Sequence, residues 1–159
     1  MLLQLIKQFQ FEQWSNTHIL NTLKAATEND ERAMLLFSHL LSSHSMWLSR
    51  VNKSSFTCTL FQVRTLDECE LLIHENFIGW QKYLTTVSLI DIEQNIEFLA
   101  AWETIPSKRI ITIQDAIIHI INHSSYHRGQ IVASLKGKVP QLPLSTYIMY
   151  ASKVIDENG

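Results

Sequence analysis

The run from Ala116 to Ala133, AIIHIINHSSYHRGQIVA, constrains the fold more than any other stretch. Ala116, Ile117, Ile118, Ile120 and Ile121 cover almost every direction around a helix, and Ile131, Val132 and Ala133 do so again after it. A helix that is apolar all round belongs inside a protein rather than on its surface. Yet Ile120–Ile131 carries two histidines, His123 and His127, four residues apart. At that spacing both imidazoles leave one helix face with Cβ atoms about 6 Å apart, close enough to reach one metal ion. The pair alone is equally compatible with polar residues facing solvent. The apolar flanks argue against that, and buried histidines need partners. The glutamate of an HExxH helix is absent, with Ser124 and Ser125 in the interval, which argues against a zincin-type protease. Gly129 costs about 1 kcal/mol of helix stability relative to Ala, so close packing against the backbone is expected there.

With only four Gly and three Pro in 159 residues, the chain reads as long helices with few turns. Leu2–Ala26 is expected as a first helix, with Leu2, Leu5, Ile6, Phe9, Leu20 and Leu23 on a 3.6-residue stripe. Gln13 and Asn16 fall on the same stripe, satisfied by neighbours or approaching a polar cavity in the bundle. Asn29 and Asp30 are candidate caps for a second helix running to about Val51. It carries His39 and His44, which point roughly 140° apart, so at most one is expected to join the later pair. Helical geometry slightly favours His44, which lies squarely on the apolar stripe. Thr65-Leu-Asp-Glu68 reads as a capping box opening a third helix with the stripe Leu66, Cys69, Ile73, Phe77, Trp80, Leu84 and Val87. From Asp91 the pattern changes. Ile96–Trp102 and Lys108–Ile111 suggest a small hairpin or an irregular crossover. Thr112-Ile-Gln-Asp115 then caps the histidine-bearing helix, which is expected to end near Gly137. Ser145 is expected to cap a short helix through Val154.

The reading is an all-α four-helix bundle in a single domain, 1–159, with a long crossover between helices 3 and 4 and a short C-terminal helix. The net charge of −2 and the absence of a basic block exclude sequence-independent nucleic-acid binding. No 18-residue apolar run offers a membrane span, and polar residues follow Met1–Leu5 too soon for a secretory leader. Cys58 and Cys69 make neither a disulfide framework nor a CxxC site. Both fit ordinary core positions in the cytoplasm.

NHSSYHRGQI resembles the signature of the DinB/YfiT-like superfamily, four-helix-bundle proteins with a three-histidine metal site. Phe11–Leu23, with Trp14, Ser15 and Asn16, is similar to that family's first helix. His39–Arg50 is similar to its second, where a His is followed eight residues later by Trp and then by Arg. Gly137–Tyr147 resembles its Gly-then-Pro tail, with Ser145 or Thr146 where the family often has Asp. The resemblance implies metal ligands His39, His123 and His127. It leaves His44 as the fallback on the second helix and His119 as a supporting or plain helix residue. His18 and His74 are given no site role. Such a set leaves open positions on a divalent ion; nitrogen ligands suit Zn, Ni, Cu or Fe, and Zn or Ni is the ion expected. Gln13, Asn16, Asn122 and Gln130 are candidate partners for the second ring nitrogens. Arg128 either holds a substrate carboxylate or, more in keeping with its setting, bridges to a neighbouring helix. By resemblance the activity is transfer of a low-molecular-weight thiol (bacillithiol or mycothiol type) to electrophiles. The alternatives are a metal-dependent hydrolase and a non-catalytic, stress-induced metal- or ligand-binding bundle. The implied partners are a small-molecule substrate and a second copy of the chain, without nucleic acid or membrane.

Overall fold

Side-chain caps set three of the four long helices. In the computed structural model, which describes residues 1–56, 59–100 and 104–153, helix α1 spans Leu2–Ala25 without a side-chain cap. Helix α2 spans Glu31–Val51, its N-cap Asp30 accepting from the Ala33 amide at 2.8 Å. Helix α3 spans Leu66–Thr86 behind the expected capping box, the Thr65 amide donating to Glu68 at 2.7 Å and the Glu68 amide to Thr65 at 3.2 Å. Helix α4 spans Ile113–Leu135, capped by Thr112 through the Asp115 amide at 3.0 Å. These caps satisfy amides that a helix start leaves without partners. Gly137 follows α4 with φ +79°, a left-handed turn residue after the helix end.

Helix α1 packs chiefly on α3 and α2 on α4, with α2 also against α3. The chain therefore has to cross the bundle between α3 and α4. It does so through a single 3₁₀ turn, Asp91–Glu93, and an antiparallel hairpin of β1 (Asn95–Ala100) and β2 (Ser107–Thr112). Asn95 pairs with Thr112 and Phe98 with Arg109, so Ile96, Phe98 and Ala100 leave one face. That face turns inward: Ile96 and Ala100 are buried, and Phe98 meets Trp47 of α2 at 5.3 Å between ring centres. Trp102 and Val154, expected in the first strand and the last helix, lie outside the described residues. The last helix, α5 (Tyr147–Ala151), starts after Thr146, and no side chain, Ser145 included, caps it.

The core falls into two apolar clusters. One gathers Leu5, Phe9, Trp47, Trp80, Leu84 and the Ile113–Ile120 part of α4. The other gathers Ile19, Leu20, Phe37, Leu41, Ile73 and Ile131. Between them each helix contributes buried polar groups: Glu12 and Asn16 from α1, His44 from α2, Asn76 from α3, Ser124 and Arg128 from α4. This belt explains why Gln13 and Asn16 interrupt the α1 stripe.

The expected close packing at Gly129 is absent, since a Cβ there would meet nothing within 4 Å. The close approach is at Gly79 of α3, where a Cβ would stand 2.3 Å from Leu48 Cδ2 of α2. Gly129 faces outward on the same helix whose other faces carry the histidines and Arg128.

Candidate metal centre

The α2–α4 packing brings one histidine of α2 to the pair on α4, and it is His39. Its Nε2 lies 3.3 Å from His123 Nε2, which lies 3.1 Å from His127 Nε2. One ligand atom from each of the three residues falls within 4.8 Å of the others. Two nitrogens bound tetrahedrally to one ion at about 2.0–2.1 Å stand about 3.3 Å apart, so the spacing fits a shared ion. His39 is buried while His123 and His127 are half-buried, which leaves one side of the trio open.

The second ring nitrogens fix what these rings present to one another. His127 Nδ1–H donates to Gln130 Oε1 at 2.8 Å, and His39 Nδ1–H to the Leu60 carbonyl at 3.3 Å. Both rings therefore carry a lone pair on Nε2, and the two lone pairs converge with His123 Nε2 on one spot. Of Gln13, Asn16, Asn122 and Gln130, only Gln130 hydrogen-bonds a ring of the trio among the described residues. His123 Nδ1 is buried with no partner. The His39 ring also stacks on Phe61 with centres 4.0 Å apart. Phe61 and Leu60 sit in the connection between α2 and α3.

Electrostatics keep the trio neutral. Burial, then His127 and His39, hold His123 down at about 3. Burial and then His127 lower His39, and in His127 burial outweighs the Gln130 hydrogen bond, which favours the protonated ring. Neutral imidazole is the form that ligates a metal.

His44 is turned elsewhere. It is buried, with Nε2 2.7 Å from Ser124 Oγ and 3.5 Å from Glu12 Oε2. The Ser124 hydroxyl donates to the Ile120 carbonyl at 2.8 Å, so its oxygen accepts from His44. Position on the apolar stripe thus sends His44 into the polar belt, whereas the stripe's edge faces α4 and carries His39 there. His119, with its ring centre 5.6 Å from that of His123, stands beside the trio but outside it. His18 bonds the Trp14 carbonyl of its own helix at 2.8 Å, and His74 is exposed.

Arg128 is fully buried and grips Glu12 of α1 with both terminal nitrogens, Nη2 at 2.9 Å from Oε1 and Nη1 closer still to Oε2. It is the bridge to a neighbouring helix, not a group open to a substrate carboxylate. Burial pushes the Glu12 carboxyl up, but Arg128 and the His44 hydrogen bond outweigh it and hold Glu12 below its ordinary range. Glu12 had carried no role in the sequence reading. The one available signal was an acid, 116 residues from Arg128, on an otherwise core-facing part of α1.

A family model described as the DinB family matches residues 1–141. The chain belongs to the DinB family. All three clustered histidines, together with Glu12 and Arg128, lie inside the matched range. Neither a curated protein nor a solved structure matches the chain significantly. In this DinB-family chain the three-histidine group is able to hold a divalent ion. Among the described residues no helix is long and apolar enough to cross a membrane.

Proposed function

We propose that His39, His123 and His127 bind one divalent ion, zinc or nickel among the zinc, nickel, copper and iron that imidazole ligands suit, and that the protein transfers a low-molecular-weight thiol to electrophilic small molecules. The observation that carries this reading is the convergence of three neutral Nε2 atoms on one half-open spot. When bound there, such an ion supplies Lewis acidity that lowers the pKa of a thiol or water joined to it.

The choice of thiol transfer over hydrolysis rests on what the protein keeps from the site. Metal-assisted hydrolysis is usually served by a general base near the ion. The buried carboxylate of the belt, Glu12, is committed to Arg128 and lies 3.5 Å from His44. No cysteine approaches the trio among the described residues, and Cys69 is buried elsewhere, beside Ser38 at 4.0 Å. A cosubstrate thiol brings its own nucleophile and needs only to be bound and deprotonated. Gln130 and the Leu60 carbonyl orient two of the rings, and Phe61 stacks on that of His39.

The test is turnover of 1-chloro-2,4-dinitrobenzene with bacillithiol, mycothiol or a simple thiol by the metal-loaded protein. The C–Cl bond breaks, the C–S bond forms, chloride leaves and the thiol proton goes to solvent. Saturable, metal-dependent product formation that His127→Ala abolishes is the expected result. A metal-loaded protein with no rate above background for any thiol would leave a binding bundle without this activity.

A further inference from the structure

Beside the three histidines runs a groove of about 560 Å³ between α2, α4 and the hairpin, with Trp47, Phe98, Ile111, His119, Lys108 and Arg109 among its walls. Its size and mostly apolar lining are those of a small-molecule site. His119 joins it to the metal centre: its ring lies 5.2 Å from Trp47 and 5.6 Å from His123, centre to centre.

The charge around this groove is one-sided. The whole chain has 15 acidic and 13 basic residues. None of the described residues lining the groove is acidic, and Lys108 and Arg109 are both cationic. Arg109 stands opposite Phe98 in the hairpin ladder, so it leaves the strand on the inward face. A third cation, Arg50, lies over the two aromatic walls, 4.5 Å from the Trp47 ring centre and 5.2 Å from that of Phe98. The α2 C-terminus favours a positive charge at this position. That does not account for Nη1, which is buried and has no hydrogen-bond acceptor. Aromatic faces attract the cation, but they leave its in-plane N–H groups without acceptors. A buried nitrogen of a charged group without an acceptor is uncommon in native structures, and an oxyanion matches the guanidinium fork.

We propose that this groove is a subsite for the anionic end of the substrate, a carboxylate or phosphate on an apolar body, held by Arg50 with Arg109 while the reacting end lies at the three histidines. The inference rests on the reading of the trio as a reaction centre and adds a substrate class to it. Because Nη1 is covered, full engagement requires a side-chain shift at the groove's edge, and Phe98 is the ring that stacks on Arg50 from the hairpin.

The test is an NMR titration of the full chain, metal-loaded and metal-free, with phenylacetate, phenylphosphonate and neutral phenylacetamide. Metal-free protein removes direct binding of the anions to an ion. One or both anions are expected to bind about tenfold or more tightly than the amide in both forms, the gain of a charged hydrogen bond, with shifts at the end of α2 and along β2. The tighter of the two anions identifies the source. Arg50→Gln should erase the preference and Arg50→Lys restore part of it. Arg109→Gln, at an exposed strand position, should weaken it without the risk of unfolding that a half-buried site carries. Equal binding of anions and amide, or a preference that survives both Arg50→Gln and Arg109→Gln, overturns the subsite. Failure to take up metal with the anion preference intact would defeat the functional reading alone. Metal uptake without the preference would defeat the subsite alone.

Discussion

Glu12 and Arg128 show how much a single buried pair can carry. Both side chains are withdrawn from water, at 3% and 2% exposure, so removing either partner strands the other's charge. Breaking such a pair costs about 3–5 kcal/mol. Arg128→Met is therefore expected to lower the unfolding free energy, read from denaturant melts, by that amount, while the double change Glu12→Leu with Arg128→Met recovers much of it. Equal losses in the single and double variants would contradict the pairing. Gly129 gives the opposite expectation. It is exposed, helical and has open space where a Cβ would go, so Gly129→Ala should stabilise by up to about 1 kcal/mol, read as a higher Tm. The sequence alone pointed the other way, because a helical glycine signals close packing only if a neighbour is present. Such a neighbour is present at Gly79 of α3, where Leu48 of α2 fills the space.

At the scale of elements, Asp30 links two helices. It caps α2 through the Ala33 amide and takes hydrogen bonds from Ser134 and Lys138 at the end of α4, the latter at 2.6 Å. Burial acts to raise the Asp30 carboxyl, but Lys138, the Ala33 amide and Ser134 together pull it down to about 2. The folded value is below the ordinary aspartate value of about 3.9. Its contribution to stability is therefore full above about pH 4 and is lost as pH falls towards 2. Glu12, also held low, acts in the same direction. Thermal melts between pH 7 and pH 2 should show Tm falling below about pH 4, with a shallower fall in Asp30→Asn than in the parent. An identical slope in the two proteins would contradict the assignment to Asp30. These caps were legible in the sequence because a cap needs only residue type and local spacing, and the Thr65 and Thr112 caps formed as written. The C-terminal helix was harder. Ser145 and Thr146 offer equivalent local signals, and the packing of Tyr147 on Phe11, 5.2 Å apart, is a contact between chain ends that no local pattern encodes.

For the whole molecule, the bundle could be read from three apolar stripes and one helix apolar nearly all round, but the polar belt through its middle could not. The belt depends on which helix faces which, and hydrophobic periodicity reports only how deep a position points. That is why the apolar stripe favoured His44 while the α2–α4 packing delivers His39, and why the Glu12–Arg128 pair went unread. Family resemblance reached His39 because it carries information about neighbours that spacing does not. An ion that binds only the folded protein stabilises it in proportion to the logarithm of its concentration over Kd. Zinc or nickel is therefore expected to raise Tm progressively in the parent chain and to leave Tm of His39→Ala unchanged.

The most direct measurement is elemental analysis of the untagged protein beside His39→Ala, His127→Ala and His44→Ala, each checked for native helix content. The account predicts about one first-row ion per chain in the parent and in His44→Ala, and essentially none in His39→Ala and His127→Ala. Retention of metal in His39→Ala, its loss in a folded His44→Ala, or no metal in any form after incubation with zinc or nickel would contradict it.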